Sequence, residues 1–390
     1  MASKTISIIG GLDYDLIMIA NRIPAGGESL LANEYLEALG GKGANSAIAT
    51  YRTCHKQPKD THEAAETDML EGTGKEETAA EHLEGAAGAS TQTHTLTSSD
   101  EFRINVKMVG AVGDDKYGER FYAELNKNGV DSSGIITVPN TQSSICFVMV
   151  ENYTRENRCL FTLGATATWK REHFLKVEDL GHGVRPDLCI AQMEIHKEVV
   201  EQMLETAGRA GIDFVLNAAP ANPITKRTYQ WITHLLVNES EAAIMSGRDL
   251  DEVNPDSWPV ICQEFLNRGV KNVVITLGAK GAYYATAEER GHCPAYKVKV
   301  VDTTGAGDTF TGAYSSDYLR QKEAGQWDIK QAVVRANKAA AITITKLGAQ
   351  LGIPWSDEID RFHAPYNEPD MSTLTISDED ADVRWDTQWR

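Results

Sequence analysis

The sequence predicts an α/β fold, a doubly wound and mainly parallel sheet with a small antiparallel β lid. Three observations predict it. Short apolar runs bounded by turn residues alternate with helical patterns, which is typical of strand–helix–strand units with helices on both faces of a sheet. Two other stretches alternate apolar and polar residues around turns. A glycine-rich string at 301–310 lies between a strand pattern and a helix pattern.

The strand and helix patterns follow one another along most of the chain. Apolar runs that predict strands lie at 6–9, 106–109, 188–192, 214–217, 235–237, 273–276 and 296–301. Helical periodicity follows several of them, at 117–128, 197–210, 239–246, 258–268, 308–322 and 329–346. Sheets of this kind bind ligands beyond the carboxyl ends of their strands.

The alternating stretches, 15–39 and 144–162, predict two antiparallel hairpins. Turn residues interrupt them at 23–27 and 151–153. We assign segments 12–39 and 142–165 to a lid inside one large domain that spans 1–355. Such a lid would cover a site, form a dimer surface, or do both.

Composition excludes several classes of protein. Apolar residues make up 42% of the 390 residues, yet no run approaches the roughly 20 residues of a membrane helix. The first apolar run is too short for a signal peptide. We expect a cytoplasmic protein with no membrane partner, and leave a nuclear location open.

The net charge of −18 argues against nucleic acid as a partner. The six cysteines form no C-x-x-C pair, which favours reduced thiols.

Most of the negative charge lies in two segments. Residues 55–101 hold eleven acidic and three basic side chains, and residues 356–390 hold ten and three. The 55–101 segment has no aromatic residue, so it cannot bury enough apolar surface to offset its ordering entropy. We predict a disordered acidic insertion at 55–101 and an acidic C-terminal tail at 364–390. A partner-binding or regulatory role and a merely tolerated insertion both stay open.

The glycine-rich string contains Gly305, Ala306, Gly307 and Asp308. Its glycines let the backbone turn sharply and approach a ligand closely, and N–H groups at the start of the following helix favour negative charge. The string is therefore a candidate anion hole for a phosphate in transit, and Asp308 is placed to accept a proton from an attacking hydroxyl. The alternative is an ordinary glycine-rich turn capped by Asp308.

Two strings together resemble the signatures of a known family. VDTTGAGDTF at 301–310 resembles the C-terminal signature of the ribokinase-like carbohydrate kinases, and GGKGAN at 40–45 resembles their N-terminal sugar-binding signature. The resemblance runs from Ile6 to about Trp355, apart from the insertion. It implies a kinase that uses ATP, Mg²⁺ and K⁺ and phosphorylates D-ribose at O5. Asp308 would be the base, and the N–H groups of Gly305, Ala306 and Gly307 would stabilise the moving phosphoryl group.

The resemblance also implies an acceptor site. Asp15 matches a carboxylate that binds sugar hydroxyls, Asp13 stands where the bacterial pattern has asparagine, and Glu156 matches a sugar-contacting glutamate. The alternatives are a turn-forming Asp13, an exposed hairpin Glu156 and a helix-start loop with a surface Lys42. The acceptor residues so implied are Asp13, Asp15, Gly41, Lys42, Asn45, Glu156 and Asp308.

A nucleotide site is implied in the same way. Residues 238–241 resemble the family's N-x-x-E motif, and 276–281 resemble a strand end that touches the nucleotide. The alternatives are a helix-capping Asn238 and a helix-surface Asn337. The implied nucleotide contacts are Asn238, Thr276, Gly278, Gly281, Gly307 and Asn337.

Two cation sites are implied. Glu241 would hold the Mg²⁺ shell through water, since a hard cation prefers oxygen and keeps several waters. Asp302 and the Thr304 carbonyl match one half of the family's potassium site. The other half is implied at the backbone carbonyls of Thr343, Lys346 and Gly348, where a helical pattern ends at a glycine.

The sequence leaves more than one possibility open for the substrate and for the oligomeric state. A kinase for another sugar or for a nucleoside is open, because Asp13 departs from the family's asparagine. A non-catalytic sugar or nucleotide sensor on the same fold is a further alternative. Lid-to-lid dimers occur among relatives, so a homodimer through the lid is an expectation from resemblance.

Overall fold

The computed structural model describes residues 3–58, 103–153 and 157–367. The strands are β1 (Lys4–Ile9), β2 (Asp13–Ala20), β3 (Glu34–Gly40), β4 (Ile104–Gly113), β5 (Asp131–Val138), β6 (Ser144–Glu151), β7 (Asn157–Phe161), β8 (Leu188–Ala191), β9 (Asp213–Asn217), β10 (His234–Asn238), β11 (Asn272–Thr276), β12 (Ala282–Thr286) and β13 (Arg290–Cys293). The α-helices are α1 (Lys42–Cys54), α2 (Lys116–Lys127), α3 (Lys197–Arg209), α4 (Glu239–Ser246), α5 (Trp258–Asn267), α6 (Ala306–Glu323), α7 (Ile329–Thr343) and α8 (Ser356–Arg361). Short 3₁₀ helices lie at Gly164–Thr168, Arg171–Phe174, Val177–Gly181, Lys226–Trp231, Leu250–Glu252 and Gly278–Lys280.

A nine-stranded sheet forms the centre of the molecule, with strand order β13-β12-β11-β10-β9-β8-β1-β4-β5. From β11 to β5 all neighbouring strands are parallel. The two strands at one edge, β12 and β13, are antiparallel. The predicted doubly wound, mainly parallel sheet is confirmed.

Both faces of this sheet are buried. In β1, Ile6 and Ile8 pack with α1, α6 and α7, whereas Ile9 packs on the opposite face with α3 and α5. In β10, Leu236 and Val237 divide between the two sides in the same way. Successive side chains of a strand point to opposite faces, so strands covered on both sides must be apolar throughout. This is why the sequence shows short continuous apolar runs.

One predicted strand is wrong. Residues 296–301 belong to no strand, and an isolated bridge joins Tyr296 to Tyr366. The last two side chains of this segment, Val300 and Val301, are exposed. The glycine-rich string thus follows an extended segment, not a strand.

The lid is a four-stranded sheet in the order β3-β2-β6-β7. Its two hairpins, β2 with β3 and β6 with β7, are antiparallel as predicted. They are joined by parallel pairing of β2 with β6, which sequence patterns within each hairpin do not indicate.

Parts of the predicted appendages lie outside the described residues. This holds for the acidic insertion from residue 59 onward and for the tail from residue 368 onward. Among the described helices, none is long and apolar enough to cross a membrane.

Helices α1 and α6 pack in close contact at Gly312. A Cβ at this position would lie 2.5 Å from the Thr50 backbone nitrogen and 2.7 Å from the Ala49 carbonyl carbon. Nearby, the hydroxyls of Thr53 and Ser316 lie 3.2 Å apart and form a hydrogen bond. The distance between these helices matters because the first signature lies at the start of α1 and the second at the start of α6.

We predict that Gly312→Ala lowers the free energy of unfolding. Alanine favours a helix by about 1 kcal/mol over glycine, so helix propensity alone would stabilise the variant. The added methyl group meets backbone that cannot rotate away, and overpacking of this kind costs about 1–3 kcal/mol. Urea unfolding measures the difference. Gly26→Ala is the control, since no atom lies within 4 Å of its added Cβ. A Gly312→Ala protein as stable as wild type would contradict the close contact.

Candidate active site

Close backbone contact places the first turn of α1 against the end of β1. Gly41 has a φ of 85°, and a Cβ there would lie 2.5 Å from the Asp13 backbone nitrogen. A Cβ at Gly43 would lie 2.6 Å from the Gly11 carbonyl oxygen. A side chain at either position would push the two segments apart. The helix begins at Lys42, so Lys42 and Asn45 belong to its first turns.

Asp308 is the third residue of α6 and is 6% exposed. Asn45 Nδ2 donates a hydrogen bond to Asp308 Oδ2 at 3.0 Å. Burial raises the pKa of Asp308, while the nearby charge of Lys42 and the Asn45 bond act in the opposite direction. Lys42 and Asn45 thus favour the carboxylate against the effect of burial, and the carboxylate is the form that can accept a proton during a reaction.

The glycine-rich turn has the geometry of a helix start. Gly305 precedes α6 with a φ of 78°, and a Cβ there would lie 2.5 Å from the Ala349 carbonyl oxygen. Nothing lies within 4 Å of a Cβ at Gly307, so its backbone borders open space. The Ala306 N–H donates to the Thr303 carbonyl at 3.2 Å. A phosphate would have to share that donor, which distinguishes Ala306 from the two glycines.

Lys42 is the positive charge at the centre of the site. Attraction to Asp308 is the main cause that raises the pKa of Lys42, and Glu194, Glu241 and Asp13 add to it. The Lys42 backbone N–H also donates to Glu194 Oε2 at 2.7 Å. Lys42 is half-buried and faces acidic groups, which does not fit a surface lysine.

Asp13 and Glu194 form a carboxyl pair. Asp13 begins β2, is 6% exposed, and is hydrogen-bonded to the side chains of Ser144 and Glu194. Burial raises the pKa of both carboxyl groups, and the charge of Asp13 raises the pKa of Glu194 further. Two carboxyl groups in contact share a proton rather than both ionising. A turn-forming role for Asp13 does not fit a buried residue inside a strand.

Asp15 lies two residues further along β2, on the lid. Burial, with a contribution from Asp13, raises the pKa of Asp15 to about 7. The thiol of Cys146, its register partner on β6, donates to the carboxylate and partly offsets this.

A cleft of about 230 Å³ borders Lys42 and Asp308. Asn238 caps α4: its Oδ1 accepts from the Glu241 N–H at 2.8 Å, and Glu241 Oε2 accepts from the Asn238 N–H at 2.8 Å. The structural interpretation of Asn238 as an N-cap is thus confirmed. Burial raises the pKa of Glu241. The residues around the cleft are Lys42, Asn217, Ala219, Leu236, Val237, Asn238, Glu241, Thr276, Thr303, Gly305, Gly307, Asp308, Phe310 and Thr311.

Among the other predicted nucleotide residues, Thr276 and Gly307 line this cleft, whereas Gly278, Gly281 and Asn337 do not. Thr276 ends β11 at the cleft, while Gly278 and Gly281 form the turn to β12 with φ values of 56° and 99°. Asn337 is 8% exposed, and its Nδ2 donates to the Cys293 carbonyl at 3.2 Å. It is therefore not a helix-surface residue, and it holds the segment after β13.

The two halves predicted for a monovalent cation meet in space. Asp302 Oδ1 accepts from the Thr304 N–H at 2.9 Å, and Asp302 Oδ2 accepts from the Gly348 N–H at 2.8 Å. Thr343 ends α7, and Lys346 follows in the loop. These groups offer carbonyl and carboxylate oxygens, the donors that a hard cation requires.

Sequence reasoning missed several residues that line the site. Glu194 follows β8, Asn217 ends β9, and Gln350 lies in the loop after α7. Asn217 Nδ2 donates to Thr311 Oγ1 at 3.0 Å. The signal that could have found Glu194 and Asn217 is their place at strand ends. Glu156 lies outside the described residues, so its predicted role stays a prediction.

Comparison with known proteins identifies the family. Residues 86–356 match the profile described as pfkB family carbohydrate kinase. The chain is 32% identical over 359 residues to a ribokinase of Schizosaccharomyces pombe, covering 91% of this chain and 96% of the relative. It is 26% identical over 362 residues to a deoxyribokinase of Salmonella typhi, covering 92% and 98%. A solved ribokinase of Thermotoga maritima is similar with a TM-score of 0.67 at 26% identity, covering 92% and 98%. The chain belongs to the pfkB family of carbohydrate kinases.

We predict that Asp15 titrates near pH 7 in the ligand-free protein. Because burial and Asp13 disfavour its carboxylate, Asp15 is protonated below about pH 7 and ionised above it. The ¹³C shift of its carboxyl carbon, assigned with Asp15→Asn, measures this. Glu28, on the same lid, is the control. Its ion pair with Arg22 lowers its pKa to about 2, so it should stay ionised from pH 5 to 9. A midpoint for Asp15 near 4 would contradict the described burial.

Proposed function

We propose that this sugar kinase transfers the γ-phosphate of ATP to O5 of D-ribose, giving ribose 5-phosphate and ADP. The observation that carries the proposal is the buried Asp308 at the end of a glycine turn, hydrogen-bonded to Asn45 and facing Lys42. The 32% identity to a ribokinase over nearly the whole chain favours ribose.

The arrangement has an acceptor side and a donor side. The carboxyl groups of Asp13, Asp15 and Glu194 are hydrogen-bond acceptors suited to a polyhydroxyl compound. Asp13 and Asp15 belong to the lid strand β2, whereas Gly307 and Asp308 border the cleft. We place the meeting point of hydroxyl and phosphate at Asp308, whose carboxyl group interacts electrostatically with Asp13 and Lys42.

In the proposed reaction, Asp308 accepts the proton of the O5 hydroxyl as that oxygen attacks the γ-phosphate. The Gly305 and Gly307 N–H groups, with the positive end of α6, stabilise the charge on the transferred group. Lys42 faces Asp308, and its positive charge would attract both the Asp308 carboxylate and the transferred phosphate. Mg²⁺, held near Glu241, would neutralise phosphate charge when bound. The lid excludes water, which would otherwise compete as acceptor.

The alternative with some support is that the phosphate acceptor is a sugar other than D-ribose. The similarity to a deoxyribokinase at 26% identity is not far below that to ribokinases. Asp13 and Glu194 lie where they would meet sugar hydroxyls, and Asp13 replaces the family's asparagine. Solved nucleoside kinases with TM-scores of 0.64 and 0.65 share the fold, so nucleosides belong in the test.

ADP release with Mg²⁺-ATP and K⁺, measured across ribose, deoxyribose, fructose, adenosine and no acceptor, tests the proposal. Turnover with ribose far above the others supports it. Preference for another acceptor would keep the kinase and replace the substrate. Binding of ATP or ribose without turnover of any acceptor would favour the sensor interpretation.

We predict that Asp308→Asn lowers kcat about 10²–10⁴-fold, the range for loss of a general base. Ribose binding should change little, because asparagine keeps the size and one acceptor oxygen. Single-turnover kinetics and a binding titration separate the two effects. Glu323→Gln, at the other end of α6, makes the same charge change as control. Near-wild-type turnover of Asp308→Asn would refute the base assignment.

We predict that Asp302→Asn weakens activation by K⁺. The carboxylate holds the Gly348 N–H and the Thr304 backbone together, and its charge would attract the ion. Rates are compared between KCl and a tetramethylammonium salt at equal ionic strength. Asp256→Asn, an exposed and distant change of the same kind, is the control. An unchanged K⁺ response in Asp302→Asn would remove this residue from the cation site.

A further inference from the structure

Two consecutive side-chain hydrogen bonds lead from Gln350 to Asp308. Gln350 Nε2 donates to Asn45 Oδ1 at 3.0 Å, and Asn45 Nδ2 donates to Asp308 Oδ2 at 3.0 Å. Asn45 and Asp308 are each 6% exposed. Water is therefore a poor substitute for either bond, and bonds in such surroundings are strong when satisfied and costly when broken.

The Asn45 side-chain amide, which lies between these two hydrogen bonds, can face either way. An asparagine amide has a donor end and an acceptor end of nearly equal shape, and rotation by 180° exchanges them. With its NH₂ toward Asp308, Asn45 attracts the carboxylate. With its oxygen toward Asp308, two acceptors face each other. A donor on the other side of Asn45, such as the Gln350 amide, selects the first orientation.

The backbone at Gln350 is held independently of its side chain. Arg52 Nη1 donates to the carbonyls of Gln350 and Ile353, both at 3.1 Å. Arg52 follows Asn45 by seven residues, about two helical turns, so one face of α1 contacts this segment twice. Arg52 is itself fixed by Asn128 Oδ1, 2.8 Å from its Nε. A change of side chain at 350 should leave the segment in place.

The same loop touches the glycine-rich turn. The Gly348 N–H donates to Asp302 Oδ2 at 2.8 Å, and the Ala349 carbonyl lies against Gly305. Residues 348–350 thus contact both the turn proposed to bind phosphate and, through Asn45, the proposed base.

We propose that Gln350 is a positioning residue that fixes the orientation of the Asn45 amide and thereby keeps Asp308 ready to accept a proton. The inference rests on the proposed role of Asp308. A hydrogen bond donated to a carboxylate favours its charged form. Loss of the Gln350 donor lets Asn45 rotate, so a larger fraction of Asp308 holds a proton near neutral pH and activity falls most on the acidic side.

A double-mutant cycle tests this with Gln350→Met, Asn45→Ala and the combined variant. Methionine keeps the length of glutamine and removes the donor. We expect Gln350→Met to lower kcat/KM about tenfold at pH 6 and less at pH 8, which corresponds to about one hydrogen bond. In the Asn45→Ala background the same change should have no further effect. Leu351→Met, a neighbouring residue that is 75% exposed, is the matched control and should behave as wild type.

The inference would be overturned if Gln350→Met and Asn45→Ala lowered kcat/KM by independent factors that multiply in the combined variant. It would also be overturned if Gln350→Met lowered kcat/KM equally at pH 6 and at pH 8. A second measurement does not need turnover: the Asp308 carboxyl ¹³C shift, titrated in ligand-free protein. Its midpoint should rise in Gln350→Met and in Asn45→Ala, and no further in the combined variant. An unchanged midpoint in Gln350→Met refutes the role of Gln350. If wild type phosphorylates no acceptor, the proposed function fails, and this titration still decides on Gln350.

Discussion

The site depends on the attraction between the Lys42 ammonium and the carboxyl groups around it. Asp308, Glu194, Glu241 and Asp13 come from separate parts of the chain, and each interacts with this one side chain. Buried carboxyl groups without such a partner would bind protons and lose their function as acceptors. Lys42 reaches this position because α1 begins where glycine backbones touch. Backbone packing and charge are therefore two parts of the same constraint.

The electrostatic consequence is that the acidic groups are coupled. The charge of Asp308 raises the pKa of both Asp13 and Glu194, so a proton gained by that pair removes repulsion and lets Asp308 ionise more readily. The titrations of Asp13 and Glu194 therefore belong to this pair and not to either residue alone. Ligands that bring negative charge need cations with them, since the carboxyl groups already outnumber the ammonium group facing them.

The two signatures were recognisable in the sequence because each is local. GGKGAN and VDTTGAGDTF contain their own turn and helix start, so the residue pattern made Asp308 a candidate and the resemblance added Lys42 and Asn45. Glu194 and Gln350 could not be predicted, because their partners lie 152 and 305 residues away along the chain. The same limit applies to the fold. Buried strands follow from apolar runs, but the β12–β13 edge and the parallel pairing of β2 with β6 depend on which neighbour is nearest in space.

The connection between sheet and lid gives the molecule a mechanical property. β2 begins at Asp13, four residues after β1 ends at Ile9, and β3 ends at Gly40, next to the start of α1. If the lid tilts, its pivot is this base of the lid, which holds Asp13 and Asp15. β2 is eight residues long, or about 25 Å, so a small tilt at the pivot moves the far end by several ångströms and Asp13 hardly at all. A small ligand bound at the pivot would therefore move the whole lid. A force applied at the far end of the lid would act on Asp13 with a large torque.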